Sequence, residues 1–316
     1  MSVNRIIKVL LTFFILSAVA VFFYKQFEVN VGSIAEYKLN LNYYYVLYSL
    51  ILIVLSTFLE TYAWFICINK FSGKNKVSFL ESFSIVNTSA LFKYIPGRIW
   101  SYAAQVLWCK RRNIPKTRTV YINILVFIGA TFVCSFFGII YFLFTFKNYF
   151  TMLFSALIVF FVANVSFVLW NTSILNWLIK RINKYFKREI QYINIQRSLF
   201  LLVELIYALN WVVIGFSGYI LAIGLGFDIS LPKIIAITAS MSVAWLIGFI
   251  SAMTPGGLGI REGVMYVMLN NIVPVHVALI LPVASRIIFL VAELLTGAAG
   301  MLIGVRKKII PDNLSC

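Results

Sequence analysis

The sequence predicts an all-α polytopic membrane protein of two inverted-topology halves, with six full transmembrane helices and two re-entrant helical hairpins broken at Pro-Gly motifs. Three observations carry this. Of 316 residues, 62% are apolar and only 12% charged, against about 45–50% and about 25% in soluble domains, and the mean hydropathy is +0.94. Apolar runs long enough to cross about 30 Å of hydrocarbon as helices recur along the chain. The basic residues gather in short clusters between those runs. A transmembrane β-barrel would instead show alternating segments of about ten residues, so helices are expected.

Taken in order, the first run, about 6–24, has no small-residue cleavage pattern after it and reads as a retained span, not a removed signal peptide. Further spans are expected at about 41–69, 119–146, 149–179, 198–224 and 275–305. Two interrupted segments lie between them. The first, 77–109, is broken at Lys93-Tyr94-Ile95-Pro96-Gly97-Arg98. The second, 231–273, is broken at Thr254-Pro255-Gly256-Gly257-Leu258-Gly259-Ile260-Arg261-Glu262. Proline removes a backbone donor and glycine admits positive φ, so each break ends one helix and lets another begin at a new angle.

Charge placement then sets a topology. Clusters at Arg5 and Lys8, at Lys70 to Lys76, at Lys110 to Arg118, at Lys180 to Arg197 and at Arg306 to Lys308 fall on one side. The other side keeps Lys25, Lys38, Lys147 and Lys233, a bias of roughly 19 to 4. This predicts two cytoplasmic termini, with 77–109 entering from and returning to the cytoplasm and 231–273 doing the same from the far side. Pro96 and Pro255 stand about 159 positions apart, near half the chain. The expected unit is therefore span, span, hairpin, span over 1–147, repeated upside down over 148–316. If both breaks were instead loops between full spans, the carboxyl terminus would move or the charge bias would fail.

The formal charge of +17 does not point to nucleic acid, because the basic residues flank apolar spans where they hold anionic headgroups. Cys67, Cys109, Cys134 and Cys316 show no ligand spacing, and His276 is the only histidine, so neither a disulfide framework nor a metal site is expected. No cofactor is expected either. The charges singled out at membrane depth are Glu60, Arg98, Glu204, Arg261, Glu262, Arg286 and Glu293. Each costs about 2.5–3.5 kcal/mol on the insertion scale and needs a partner or water. Arg261 and Glu262 point apart on a helix. Arg286 and Glu293 are two turns apart on one face, so a bridging group or a third residue must lie between them.

About 12 residues follow each break before the next polar cluster, roughly 18 Å of helix, or half a bilayer. Such a half-helix places its free N–H groups and positive dipole end near the midplane. Arg98 and Arg261 stand at the two starts, with Gly97, Gly256, Gly257 and Gly259 beside them. Two helix N-termini and two guanidinium groups converging from opposite sides would make a phosphate site. The competing reading is that Arg98 and Arg261 pair with Glu60, Glu204 or Glu293 and only lock the hairpins. The glycine stretch lacks the Gly-Lys-Ser/Thr ending of an ATP-binding loop. Gly300 and Gly304 offer a small-residue face for helix contact.

Tyr94-Ile95-Pro96-Gly97-Arg98 with Lys110-Arg111-Arg112, and Thr254-Pro255-Gly256-Gly257-Leu258-Gly259-Ile260-Arg261-Glu262-Gly263, together resemble the lysylphosphatidylglycerol synthase transmembrane region family over nearly the whole chain. The resemblance implies a flippase-like polytopic domain with re-entrant elements. Members of that family stand alone, are fused to a soluble synthase that aminoacylates phosphatidylglycerol, or occur beside glycosyltransferases. A soluble synthase has no room in this chain, so aminoacyl transfer is not expected. Arg98 stands where lysine is expected at least as often, and Trp100-Ser101-Tyr102 follows where an acid is expected.

The expected function is translocation of a phosphate-bearing lipid or lipid-linked sugar between leaflets of a prokaryotic cytoplasmic (inner) membrane, with no catalytic step. Its expected partners are anionic membrane lipids, with a homo-oligomer as a further assembly. The alternative is a non-transporting subunit that anchors a glycosyltransferase or another envelope-biosynthesis enzyme. An intramembrane enzyme on lipid phosphates is disfavoured because no histidine lies near either break.

Overall fold

The computed structural model describes residues 40–72, 76–95, 99–145, 150–186, 196–251, 254–270 and 272–310, with a few isolated positions before residue 40. The expected first span, about 6–24, lies almost wholly outside the described residues. Helix α1 is Tyr43–Phe71, α2 is Phe79–Ala90, and a 3-10 turn at Leu91–Tyr94 precedes α3, Ile99–Arg111. Then come α4 (Lys116–Thr145), α5 (Phe150–Phe186) and α6 (Arg197–Gly224). A 3-10 turn at Leu231–Lys233 leads into α7, Ile234–Ile250, and a second at Pro255–Gly257 precedes α8, Ile260–Leu269. Helix α9 is Val275–Arg306. No strand occurs among the described residues.

Five helical segments are long and apolar enough to cross a membrane: Tyr43–Phe71, Lys116–Leu143, Arg197–Gly224, Leu231–Ile250 and Val275–Arg306. Four of them coincide with expected spans. The fifth lies in the segment expected to be a hairpin, and its 20 residues rise about 30 Å, more than half a bilayer. The expected span 149–179 corresponds to α5 from Phe150 onward, whose apolar stretch is the shorter Phe154–Phe167. Asn171, Thr172, Ser173 and Asn176 interrupt the apolar run beyond it.

The outer surface confirms the solvent. Leu201, Leu205, Leu209, Val212 and Phe216 form a helical stripe of exposed apolar side chains on α6, and Ile287, Val291, Leu294, Leu295 and Leu302 form another on α9. In water such stripes would be aggregation surfaces. Against lipid they cost nothing. The interior is where the polar residues went: Ser82, Ser84, Asn87, Thr88 and Ser89 of α2 are all buried. They are small, and several bond back to their own helix, as Ser89 does to the Val86 carbonyl at 2.8 Å.

Small residues also let helices approach closely, which is how helices associate where lipid removes the hydrophobic drive. Gly297, Gly300 and Gly304 of α9 face Leu91, Thr88 and Ser84, and a Cβ on any of them would strike those side chains. The expected contact face at Gly300 and Gly304 is thus used inside the chain, against α2. Gly138 of α4 meets Val243 of α7 in the same way. At the α1–α6 crossing, buried Ser217 donates to the Ser49 carbonyl at 2.9 Å, so in the 2.8 Å contact of the two hydroxyls Ser49 is the donor.

Hydrogen bonds fix which helix ends lie together. Helix α2 opens with a reciprocal cap, in which the Glu81 carboxylate accepts from the Ser78 N–H at 2.7 Å and the Ser78 hydroxyl accepts from the Glu81 N–H. That same Glu81 pairs with Arg112, just beyond α3. Arg118 at the start of α4 donates to the Phe71 carbonyl at the end of α1, 2.6 Å away, and Arg111 reaches the Ile309 carbonyl beyond α9. These ends form one pole of the bundle, and it is the basic one. At the other pole the Asn42 N–H donates to the Gly224 carbonyl at 2.8 Å, and the Tyr141 hydroxyl donates to the Met268 carbonyl. Helix α2 therefore starts where α3 ends.

This geometry predicts labelling sides. In a chain with its native cysteines removed, single cysteines replacing exposed Lys76 and Asn113 should react with an impermeant maleimide from the same face of oriented vesicles. Cysteines replacing exposed Ser230 and Pro274 should react from the opposite face. Labelling of 76 and 113 from different faces would contradict the packing.

Candidate functional site

The 3-10 turns Leu91–Tyr94 and Pro255–Gly257, one from each interrupted segment, touch each other. Gly256, Gly257 and Gly259 have φ of +62°, +75° and +82°. Side-chain-bearing residues pay about 1–2 kcal/mol each in that region. Glycine is needed at Gly256 for a second reason, since a Cβ there would stand 2.6 Å from the Tyr94 ring and 3.0 Å from Arg286. The Pro-Gly-Gly-Leu-Gly run is thus first a turn that starts α8 close to the end of α7.

Helix α9 holds both turns through two charged residues. Arg286 donates to the Gly256 carbonyl at 2.9 Å, and its Nε lies 3.4 Å from the Glu262 carboxylate. Two turns further along α9, Glu293 accepts from the Lys93 ammonium at 2.5 Å and from the Tyr94 hydroxyl at 2.6 Å. The Arg286 guanidinium sits 5.9 Å from the centroid of the Tyr94 ring. Tyr94 is therefore the third group that the seven-residue spacing of Arg286 and Glu293 requires. Glu262 also accepts from the Gly259 N–H at 2.5 Å, which places a carboxylate at the N-terminus of α8, where the helix dipole favours it. Arg261 points the other way, as its position beside Glu262 demands.

Beside this network lies a cavity of about 200 Å³. Glu60 and Trp64 of α1, Lys93 of the first turn, Gln105 of α3, Asn123 of α4, Gly256 of the second turn and Arg261 of α8 line it, with aromatic walls from Phe127, Tyr207, Trp245 and Phe249. Glu60 accepts from Asn210 of α6 at 3.3 Å. Arg261 and Trp245 also line a smaller cavity of about 40 Å³ that reaches Glu262 and Arg286. Gly248 of α7 leaves room for the aliphatic stem of Arg261. Among the described residues, three carboxylates and three cations meet here: Glu60, Glu262 and Glu293 with Lys93, Arg261 and Arg286. The arrangement matches three acidic with three basic side chains and keeps Lys93 and Arg261 on a cavity wall.

Of the residues expected from sequence, Glu60, Gly256 and Arg261 line the cavity, and Glu262, Arg286 and Glu293 support its wall. Gly257 and Gly259 shape the second turn. Pro96, Gly97 and Arg98 lie outside the described residues. Glu204 is elsewhere. It accepts from Asn164 of α5 at 2.6 Å and faces a separate apolar groove between α4, α5 and α6. Lys93 and Tyr94 lay within the first break but were not expected to carry charge pairing. A lysine three residues before a Pro-Gly pair at membrane depth was the available signal.

The fold and site define a class: a polytopic α-helical membrane domain with two interrupted segments meeting at a buried charged centre. The chain belongs to the Lysylphosphatidylglycerol synthase TM region family, whose family model matches residues 5–297. A comparison with curated proteins finds no match.

The pairing makes a prediction about stability. Lys93→Met leaves Glu293 buried without its cation and should destabilise the purified protein by about 3–5 kcal/mol, read as a lower unfolding temperature in detergent. Lys93→Met combined with Glu293→Leu should recover much of that loss. Single and double variants of equal stability would show that the pair bears no strain from separation.

Proposed function

We propose that this chain is a lipid translocase that moves a phosphate-bearing lipid or lipid-linked sugar between leaflets, with the headgroup in the central cavity and the tails in lipid. The observation that carries the reading is the cavity itself, lined by Lys93 and Arg261 where both broken segments meet inside an apolar bundle. Polar space at membrane depth is expensive and is kept where a polar solute must pass. Membership of a membrane-domain family named for a lipid synthase agrees with a lipid substrate.

The packing supports two inverted halves around that cavity. Exchange α1 with α6, α2 with α7, α3 with α8 and α4 with α9, and the packed pairs map onto one another. Helix α2 packs on α9 as α7 packs on α4, α1 on α9 as α6 on α4, and α3 on α4 as α8 on α9. The α1–α6 pair and the pair of central turns map onto themselves. In this reading 77–109 and 231–273 are re-entrant hairpins of opposite sense, and both termini are cytoplasmic in a prokaryotic inner membrane. Transport is then a rocking of the halves about the α1–α6 crossing. Arg98, adjacent in sequence to the first residue of α3, and Arg261, second residue of α8, supply the phosphate contacts together with Lys93.

The test is reconstitution in liposomes carrying trace fluorescent phosphatidylglycerol or polyprenyl phosphate, with leaflet accessibility read by an impermeant quencher. The intact chain should accelerate redistribution. Arg261→Ala and Arg98→Ala should each slow it about 10- to 100-fold, the value of a charge-assisted contact of about 1.5–3 kcal/mol, while remaining monodisperse. Movement that survives both substitutions would discard the site. Absence of movement with the intact chain would favour a non-transporting subunit that organises a glycosyltransferase or another envelope enzyme.

A further inference from the structure

Of the three carboxylates at the charged centre, two are committed to cations. Glu293 accepts from the Lys93 ammonium at 2.5 Å and the Tyr94 hydroxyl at 2.6 Å, and Glu262 accepts from the Gly259 N–H at 2.5 Å with Arg286 Nε 3.4 Å away. A proton on either would strand a buried cation. Glu60 is placed differently. It lines the cavity and accepts at 3.3 Å from a neutral donor, the NH₂ of Asn210. The buried Asn210 oxygen has no hydrogen-bond partner among the described residues. Half a turn of that amide brings the oxygen to the same carboxyl, where it accepts from a protonated acid. Glu60 can therefore gain or lose a proton without leaving this contact.

The titratable and charged groups facing Glu60 are Lys93 of the first turn, Tyr102 of α3, Cys134 of α4, Tyr207 of α6, Arg261 of α8 and Glu293 of α9. Helices α2 and α7 present apolar and aromatic side chains there. Phenol and thiol groups are neutral near pH 7, and the Lys93 charge is shared with Glu293, which leaves Arg261 as the second cation acting on Glu60. A phosphate that enters this cavity of about 200 Å³ draws those cations to itself and sets a second negative charge beside Glu60. Two anions that share a small desolvated site do not both stay ionised, and one takes a proton. A phosphodiester is too strong an acid to hold it, so the proton goes to the carboxylate. We propose that Glu60 is the proton site of a proton-coupled translocase. Each anionic headgroup enters with one proton, which leaves water for the Glu60 carboxylate and returns to water when the headgroup departs into the other leaflet. One negative charge is neutralised as one arrives. The inference rests on the translocase reading and adds the ion that moves with the lipid.

The experiment is binding of two short-chain phosphodiesters, a phosphatidylglycerol and a prenyl phosphoglucose, to the purified full chain in detergent. Binding is followed by tryptophan fluorescence, since Trp64 and Trp245 line the cavity. Both probes keep a single charge between about pH 5.5 and 8.5, so a pH slope belongs to the protein. His276, the only histidine in the sequence, packs against Phe227 and does not line the cavity. The complex holds one proton more than the free chain, so affinity should fall as pH rises, by about tenfold per unit where free Glu60 is ionised. Glu60→Gln should bind at every pH as the intact chain binds at the acid end. Calorimetry of the intact chain in two buffers of different ionisation enthalpy needs no variant and should show uptake of close to one proton per probe. In liposomes, a pH difference should shift fluorescent phosphatidylglycerol toward the leaflet on the alkaline side. Affinity independent of pH, proton uptake that survives Glu60→Gln, or a distribution indifferent to the gradient would each overturn the inference. If binding is then still lost in Arg261→Ala, the anion site and the translocase reading stand. Failure of both probes to bind at any pH would overturn that reading and the inference together.

Discussion

Helix α9 is the support to which both interrupted segments are held, the first through Glu293 and the second through Arg286. The Glu293 carboxylate takes the Lys93 ammonium and the Tyr94 hydroxyl of the first turn. On the same helix, about 10 Å away along the axis, Arg286 takes the Gly256 carbonyl and approaches Glu262 of the second segment. Helix α9 therefore fixes both turns relative to each other. Buried ion pairs are poor sources of net stability, because desolvation offsets much of their attraction. Their effect is specificity: neither turn can shift along α9 without stranding a charge in a low-dielectric interior.

Everything around the cavity follows from that constraint. The first turn must bring Tyr94 against the backbone of the second, so position 256 admits no Cβ and Gly256 adopts a left-handed conformation. The Glu262 carboxylate, committed to the Gly259 N–H and Arg286, turns Arg261 toward the cavity. Close packing of α2 on the glycine face of α9 keeps the first turn at the right depth. The charged centre is thus bounded by α9 on one side and borders the cavity that Glu60, Gln105 and Asn123 line on the other.

Much of this was legible in the sequence, for reasons that can be named. Interruptions at Pro96 and Pro255 announce themselves because few residues break an apolar run. The clusters at Lys70, Lys110 and Arg306 mark one pole because lipid tolerates them only at its edge, and the structure gathers them there. The separation of Arg286 from Glu293 showed that a third group was needed, but not that it was Tyr94. Glu204 was grouped with the central charges because depth in a span is readable while direction is not, and it faces the α4–α6 groove with Asn164. Leu231–Ile250 is longer than a half-membrane limb, since its apolar composition continues through Ile250 to the edge of the glycine turn.

By itself, then, the amino-acid sequence determined the solvent, the helices, the two breaks and the pole that carries the basic residues, because each depends on composition or on neighbours within one helix. The tertiary structure decided which charges meet. Lys93 and Glu293 are 200 residues apart, and Gln105 and Asn123 sit on different helices with their amides turned by Ser89 and Trp64. Side-chain partners across helices depend on which faces pack together. That is set by glycine-sized gaps and by the requirement that no buried charge be left alone, and both become definite only when the whole bundle has closed.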